Sequence, residues 1–442
     1  MSKSIIHQKE SGGSEQQEHH KQQGKQKQPS QNKIVRFLRN IGPGFLGGMA
    51  GNDATAVATY SIDGARVGFS HLWLMLLSTP MYFSVQFACA EIGRITQEGF
   101  GDILRESYGR WVAALAALVL VLANTALVAG NLVAVGSGLQ LITGISWVWF
   151  VVPIAVILWY ITVFRNFRTI EKIFTVLSLA FVTYIVTAIF SHANWGAVFV
   201  STFVPKVSFN FADISAAVAL LGATISPYTM YWQVKGESEE RRVGTFLQKL
   251  REAAGDIATG VISGNLVSYF IIITAAATLF THHKSIQTAA DAAQALQPLL
   301  GPFAKYLFAV GLIGAGVVAI PVMLASTSYG VSDIFAWPCG LSEKPSRAKG
   351  FYIVLSLALL ASLGLALLRI DPITLIFYAN VLVGVLSPIM IVFLVMIGNN
   401  RKIMRGKRLS WPINVLLVLA ALVMFSAAIL FFWGLATGQG GS

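Results

Sequence analysis

From Ile41 onward the chain is a succession of apolar runs, most of them long enough to cross a lipid bilayer, and that recurrence limits the possible folds more than any other feature. A hydrocarbon core about 30 Å thick needs about 20 consecutive apolar residues in helical form. Eleven such runs are expected: 41–66, 69–93, 111–142, 147–164, 173–192, 213–235, 256–280, 305–334, 350–368, 371–399 and 411–437. The third, eighth and tenth are long enough to tilt or protrude. With 55% apolar and only 12% charged residues, the chain departs from a soluble domain, in which about 25% are charged. A soluble enzyme with one core, a disordered regulator and a secreted disulfide scaffold are all excluded. The expected class is an all-α polytopic membrane protein.

The charges report topology. The net charge is +12, which in a soluble protein would suggest a nucleic-acid partner. Placing residues 1–33 inside and counting eleven crossings puts 27 of the 32 Lys and Arg on the inner side. That bias is the positive-inside rule. It explains the basic balance without nucleic acid. It sets the N-terminus in the cytoplasm and the C-terminus outside, in a multi-pass plasma-membrane protein. Residues 1–33 are rich in Gln, Lys, His and Ser, a composition that cannot bury enough apolar surface to fold. No apolar stretch of the signal-peptide kind follows closely on their basic residues. Cys89 and Cys339 lie too far apart in sequence to suggest a metal cluster or a disulfide framework, and both read as structural.

No Lys, Arg or His falls at the middle of any span, and most acids, Asp63, Glu91 and Asp333 among them, fall at span ends or in loops. Asp53 remains, in the middle of the first span. An ionisable residue at that depth is costly and marks a functional site by default. It follows a Gly-rich stretch, Gly42 to Gly51 with Pro43, and Asn52. Glycine costs a helix about 1 kcal/mol relative to Ala, and Asn and Asp compete for backbone hydrogen bonds. A break here would free carbonyl oxygens beside a carboxylate, the ligand type hard cations take.

A second break is expected in the sixth span, Gly222-Ala223-Thr224-Ile225-Ser226-Pro227-Tyr228-Thr229. Pro227 removes a backbone donor and clashes with the carbonyl of Ala223. Interrupted spans at the first and sixth positions suggest two five-span halves with a site at the midplane. Cation uptake by a transporter is the leading reading. An amino-acid transporter of the same architecture is disfavoured by the carboxylate, a channel lacks a repeated filter, and an intramembrane enzyme lacks a nucleophile with its base.

These residues resemble the NRAMP family of divalent-metal transporters over about residues 36–400. Gly42-Pro43-Gly44-Phe45-Leu46 is similar to the opening of that family's first helix. The stretch Val57-Ala58-Thr59 to Gly68-Phe69-Ser70-His71-Leu72-Trp73 is similar to its continuation, and Gly222-Ala223-Thr224 with Pro227 and Tyr231 to its sixth helix. The resemblance implies a LeuT-type fold of two inverted five-helix repeats, helices one to five over about 41–192 and six to ten over about 213–399. The transport core would then span 34–400, and 401–442 would hold the eleventh helix and the C-terminal end. Helices one and six would be unwound at their middles.

The departures from the family pattern share one direction. Its Asp-Pro-Gly-Asn motif reads Asp53-Ala54-Thr55-Ala56 here, so the Asp is kept and the ligand Asn is gone. Its Met-Pro-His motif reads Ser226-Pro227-Tyr228, without thioether or imidazole, and a second His corresponds to Gln233. Third-helix acids correspond to Asn124 and Asn131, the tenth-helix Gln corresponds to Asn380, and the ninth-helix Arg has no counterpart. A thioether favours soft ions, whereas Mg²⁺ wants octahedral oxygen and retains several waters. The pattern therefore resembles the NRAMP-related magnesium transporters. It implies uptake of Mg²⁺ and Mn²⁺ by alternating access without proton coupling; the alternative is proton-coupled Mn²⁺/Fe²⁺ transport. The expected ligands are Asp53, the carbonyls of Ala50 and Ala223, Ser226 and Asn380, with Thr55, Ala56, Tyr228 and Thr229 lining the cavity. No cofactor, catalytic residue or obligate protein partner is implied; the partners are the transported ion and the bilayer.

Overall fold

The computed structural model describes residues 52–164, 180, 183–239, 245–341 and 343–439. The tail 1–33, the Gly-rich opening with Ala50, and most of 173–182 lie outside the described residues. Among those described, the regular structure is entirely helical.

The first helix, α1 (Ala54–Val67), starts directly after Asp53. There follow α2 (Leu72–Thr96), the short α3 (Phe100–Tyr108), α4 (Arg110–Thr143), α5 (Val148–Phe164), α6 (Thr183–Phe190) and α7 (Trp195–Phe203). The sixth span is two helices, α8 (Phe211–Thr224) and α9 (Pro227–Glu239). Then come α10 (Phe246–Thr278), α11 (Ala304–Phe335), α12 (Lys349–Ala366), α13 (Pro372–Asn399) and α14 (Trp411–Ala436). Eight of the expected spans are helices or helix pairs long and apolar enough to cross a membrane, and the fourth is the 17-residue α5. The third, eighth and tenth spans match α4, α11 and α13 to within a residue or so at each end. The seventh differs. α10 begins ten residues before its apolar run, at a capping box of Thr245 and Gln248, because a helix continues beyond the bilayer on polar residues once its N-terminal donors are satisfied.

Burial separates inner from peripheral helices. α8, α9 and α11 are mostly enclosed, whereas α12 and α14 expose apolar side chains along their length. Ile353, Leu357 and Leu360 on α12, and Leu422, Ile429 and Phe432 on α14, face outward, as lipid contact demands. Trp411 and Trp433 stand exposed near the two ends of α14, the positions where amphipathic rings sit at bilayer interfaces.

The inner helices approach closely where side chains are smallest. A Cβ on Gly222 of α8 would meet the Asn380 carbonyl and Gly384 backbone of α13, and one on Gly384 would meet the Val218 carbonyl of α8. Small residues let backbones touch in a membrane, where packing replaces the hydrophobic drive. Cys89 is buried and Cys339 half-buried.

Candidate functional site

Asp53 is the N-cap of α1. Its backbone is extended, and its Oδ1 accepts from the Ala56 amide at 2.9 Å and the Thr55 hydroxyl at 2.6 Å. That is ordinary capping, in which a side-chain oxygen satisfies a donor left over at a helix start. The helix N-terminus also favours the anionic form. Oδ2 points to the Tyr228 hydroxyl at 3.5 Å, a long contact, and the Asn131 side chain of α4 faces the same carboxylate. The residue is only 5% exposed. One oxygen thus holds the helix start while the other stays weakly engaged.

The second break lies where the proline puts it. α8 ends at Thr224, Ile225 is extended, and Pro227 opens α9. Pro227 has no N–H to return to Ala223, so that carbonyl loses its helical partner. The Ser226 hydroxyl donates to the Gly222 carbonyl at 2.9 Å, which leaves its lone pairs for another partner. Thr229 turns its hydroxyl to the Ser226 carbonyl at 2.8 Å.

The start of α1 and the α8–α9 break are tied together and to their surroundings. The Tyr60 and Thr224 hydroxyls meet at 3.1 Å, joining α1 to α8. Asn52, immediately before Asp53, donates to the Gly264 carbonyl at 3.0 Å and accepts from the Ser268 hydroxyl at 2.7 Å, both on α10. Gly130 of α4 leaves room for the Thr55 methyl, which a Cβ would approach to 2.9 Å.

Of the expected site residues, Asp53, Thr55, Ala56 and Tyr228 come together around one carboxylate, with Ser226 and Ala223 on the neighbouring break. Ala50 lies outside the described residues. Asn380 is buried, but its amide donates to Thr59 at 3.0 Å and to the Ile376 carbonyl at 3.1 Å. It therefore braces α13 against α1 six residues beyond Asp53. Thr229 supports the start of α9 through its bond to Ser226.

Three features escaped the sequence. Asn131 donates to the Leu127 carbonyl at 3.0 Å and to Met323 Sδ at 3.8 Å. Its Oδ1 is buried without a hydrogen-bond partner among the described residues. A buried amide oxygen in this position is free to accept from, or coordinate, a group supplied from outside the chain. Asn52 is the second feature; its position beside Asp53 in a Gly-rich break was the available signal. The third is the burial of acids that lie away from mid-membrane depth. Asp63, Glu237 and Asp333 are also buried. Glu237 of α9 pairs with Arg94 of α2. Asp333 accepts from the Gly101 amide at 3.1 Å. Asp63 bonds to His71 at 2.7 Å. These acids sit at span ends, as expected, but helix packing closes over them there.

Among the described residues no three His, Cys, Asp or Glu side chains converge on one point. The donors at the breaks are one carboxylate with neutral hydroxyl, amide and carbonyl oxygens. Such a set can hold a hard cation and release it.

A family model described as natural resistance-associated macrophage protein-like matches residues 44–434. The divalent metal cation transporter MntH of Deinococcus radiodurans is 28% identical over 305 residues, covering 64% of this chain and 66% of that protein. The aligned part thus spans just under two thirds of that relative. A crystal structure of a mutant Eremococcus coleocola manganese transporter superposes with a TM-score of 0.71 at 17% identity, covering 94% of this chain and 90% of the other. The structure of MhsT bound to L-phenylalanine superposes with a TM-score of 0.60 at 14% identity, covering 88% and 97%. At these identities the structures speak for the fold alone. It is the all-helical LeuT-type arrangement, with α1 starting at Ala54 and a break between α8 and α9.

Proposed function

The chain belongs to the Nramp family, and from that premise we propose that it moves Mg²⁺ and Mn²⁺ across the plasma membrane into the cytoplasm by alternating access, without coupling to protons. The observation that carries this reading is the buried, unpartnered Oδ1 of Asn131, on a side chain beside Asp53, with Ser226 rather than a thioether on the adjacent break. The donors offered are hard oxygens: Asp53 Oδ2, Asn131 Oδ1, Ser226 Oγ and the Ala223 carbonyl. Mg²⁺ keeps several waters and takes few protein ligands. Small residues at Ala56 and Ser226 leave space for those waters. Mn²⁺ binds most weakly of its row and is the transition ion most like Mg²⁺.

The lack of coupling follows from the groups at the site. Asn131, Asn124, Gln233 and Tyr228 do not titrate near neutral pH, and a divalent cation on Asp53 favours its charged form. Inward movement is then driven by the ion gradient and the membrane potential, worth about 2.3 kcal/mol per charge per 100 mV. The test is uptake of Mg²⁺ and Mn²⁺ into proteoliposomes under a K⁺/valinomycin clamp with a pH-sensitive dye inside. Metal entry without luminal acidification above that of empty vesicles is expected.

A second reading, proton-coupled Mn²⁺/Fe²⁺ transport, draws on one observation. Met323 brings a thioether to 3.8 Å from the Asn131 amide, and a soft ligand so close to the site would favour the transition ions. In the same assay, that reading requires acidification in step with metal entry.

A further inference from the structure

Asp63 and His71 pair at the opposite end of α1 from Asp53. Asp63 is fully buried and His71 5% exposed. His71 Nδ1 and Asp63 Oδ1 are 2.7 Å apart. Asp63 Oδ2 is buried without a hydrogen-bond partner among the described residues. The pair closes the tight connection between α1 and α2, which turns on Gly68 at a φ of +64°.

Charged and titratable neighbours face the pair from several helices. On α1 itself, Arg66 attracts Asp63 from an exposed position, with its guanidinium over the Phe377 ring of α13 at 4.5 Å. Tyr60 lies nearly a turn before Asp63, and Tyr378 of α13 faces Arg66. Asp213, in the first turn of α8, acts on His71 and adds negative charge. Tyr184, next to α10, faces Ser61. Phe280, beyond α10, covers Gly68, and His282 beside it is exposed.

One proton is therefore the occupancy this packing suits. With one proton the pair is neutral overall and hydrogen-bonded. With none, a carboxylate anion stays buried with an unsatisfied oxygen and only the exposed Arg66 to compensate it; with two, a cation is buried against a neutral acid. Both are costly. We propose that Asp63 and His71 form a single-proton site, separate from the metal site, that latches the end of α1 to the start of α2, and that metal uptake depends on external pH through it. The proton stays with the pair and is not carried across. α1 is also the helix that Asp53 caps, so loosening its far end reaches the metal site through one rigid element. The inference rests on the transport reading only for its flux measurement.

The experiment has two arms on the full-length chain: wild type, Asp63→Asn and His71→Gln. Mn²⁺ uptake into proteoliposomes is followed as external pH is raised from about 6 to about 9, the range in which a histidine-centred site titrates, with internal pH and potential fixed. Thermal unfolding in detergent is followed over the same range. Wild type should lose at least about threefold in uptake, and its unfolding midpoint should fall. Both variants, each lacking one half of the pair and so its shared proton, should have flatter profiles in both arms. Wild-type profiles that are flat, or variants with the wild-type dependence, overturn the proposal. If one variant does not fold, the other decides. If the chain carries no Mn²⁺ at any pH, the transport reading fails and the unfolding arm still decides this one.

Discussion

Replacing Asp53 by asparagine separates the charge of this carboxylate from its work as a helix cap. Asn caps a helix about as well as Asp. An amide oxygen can still accept from Ala56 and Thr55, now at 2.9 and 2.6 Å from Oδ1. Each of these bonds falls from charge-assisted to neutral, a loss of about 1 kcal/mol apiece. Relief from burying an anion, worth several kcal/mol, offsets that loss, so the folded state should be no less stable. Ion binding behaves differently. Removing one partner of a buried charge pair costs about 3–5 kcal/mol, or roughly two to three and a half decades of affinity at about 1.4 kcal/mol per tenfold. Asp53→Ala should lose as much binding and also about 1 kcal/mol of capping. Both variants should then show no measurable Mg²⁺ or Mn²⁺ uptake in proteoliposomes, while only Asp53→Ala unfolds at a lower temperature than wild type. A monodisperse Asp53→Asn protein with uptake within about threefold of wild type would refute the assignment of Asp53 to the ion.

Ser226→Met, alone or with Ala56→Asn, should raise Cd²⁺ affinity and lower Mg²⁺ flux, because a thioether favours soft ions and fills space that water needs; isothermal titration with Cd²⁺ checks it, and unchanged affinity and flux would mean Ser226 does not face the ion. Asn52→Ala removes the bonds to Gly264 and Ser268 of α10 and should weaken Mn²⁺ binding at least about tenfold while the protein stays folded. Unchanged binding would remove Asn52 from the support of Asp53. Gly222→Leu should prevent a stable fold, since even a Cβ there meets the backbone of α13; recovery of a monodisperse protein with the wild-type unfolding midpoint would count against the close crossing of α8 and α13.

The sequence made the break at Ile225 and Ser226 legible because proline has no amide to donate, a chemical fact independent of context. Asp53 stood out for a similar reason, since charge at mid-membrane depth has few structural uses. The ends of α4, α11 and α13 coincide with the ends of their apolar runs. The start of α10 does not, because its first ten residues extend the helix without extending its apolar face. Asn380 is expected as a ligand because it corresponds to the family's tenth-helix Gln, whereas the bond of its amide nitrogen to Thr59 belongs to the packing of α13 on α1 and is not legible in the sequence. The same limit hid the pairs Arg94–Glu237 and Asp63–His71. Each residue alone reads as a polar span end, and only the folded chain brings its partner across. The orphaned Asn131 oxygen was hidden most fully: the sequence shows an amide in α4, and only the structure shows that its nitrogen is engaged and its oxygen is not.

The central claim is that oxygen donors around Asp53 carry Mg²⁺ as well as Mn²⁺. It is tested most directly by flux into proteoliposomes with Mg²⁺, Mn²⁺, Ca²⁺ and Cd²⁺ in competition. The account predicts that Mg²⁺ enters, that Mg²⁺ and Mn²⁺ inhibit each other, and that Cd²⁺ competes poorly. Entry of Mn²⁺ and Cd²⁺ unaffected by excess Mg²⁺, with no Mg²⁺ flux of its own, would contradict it.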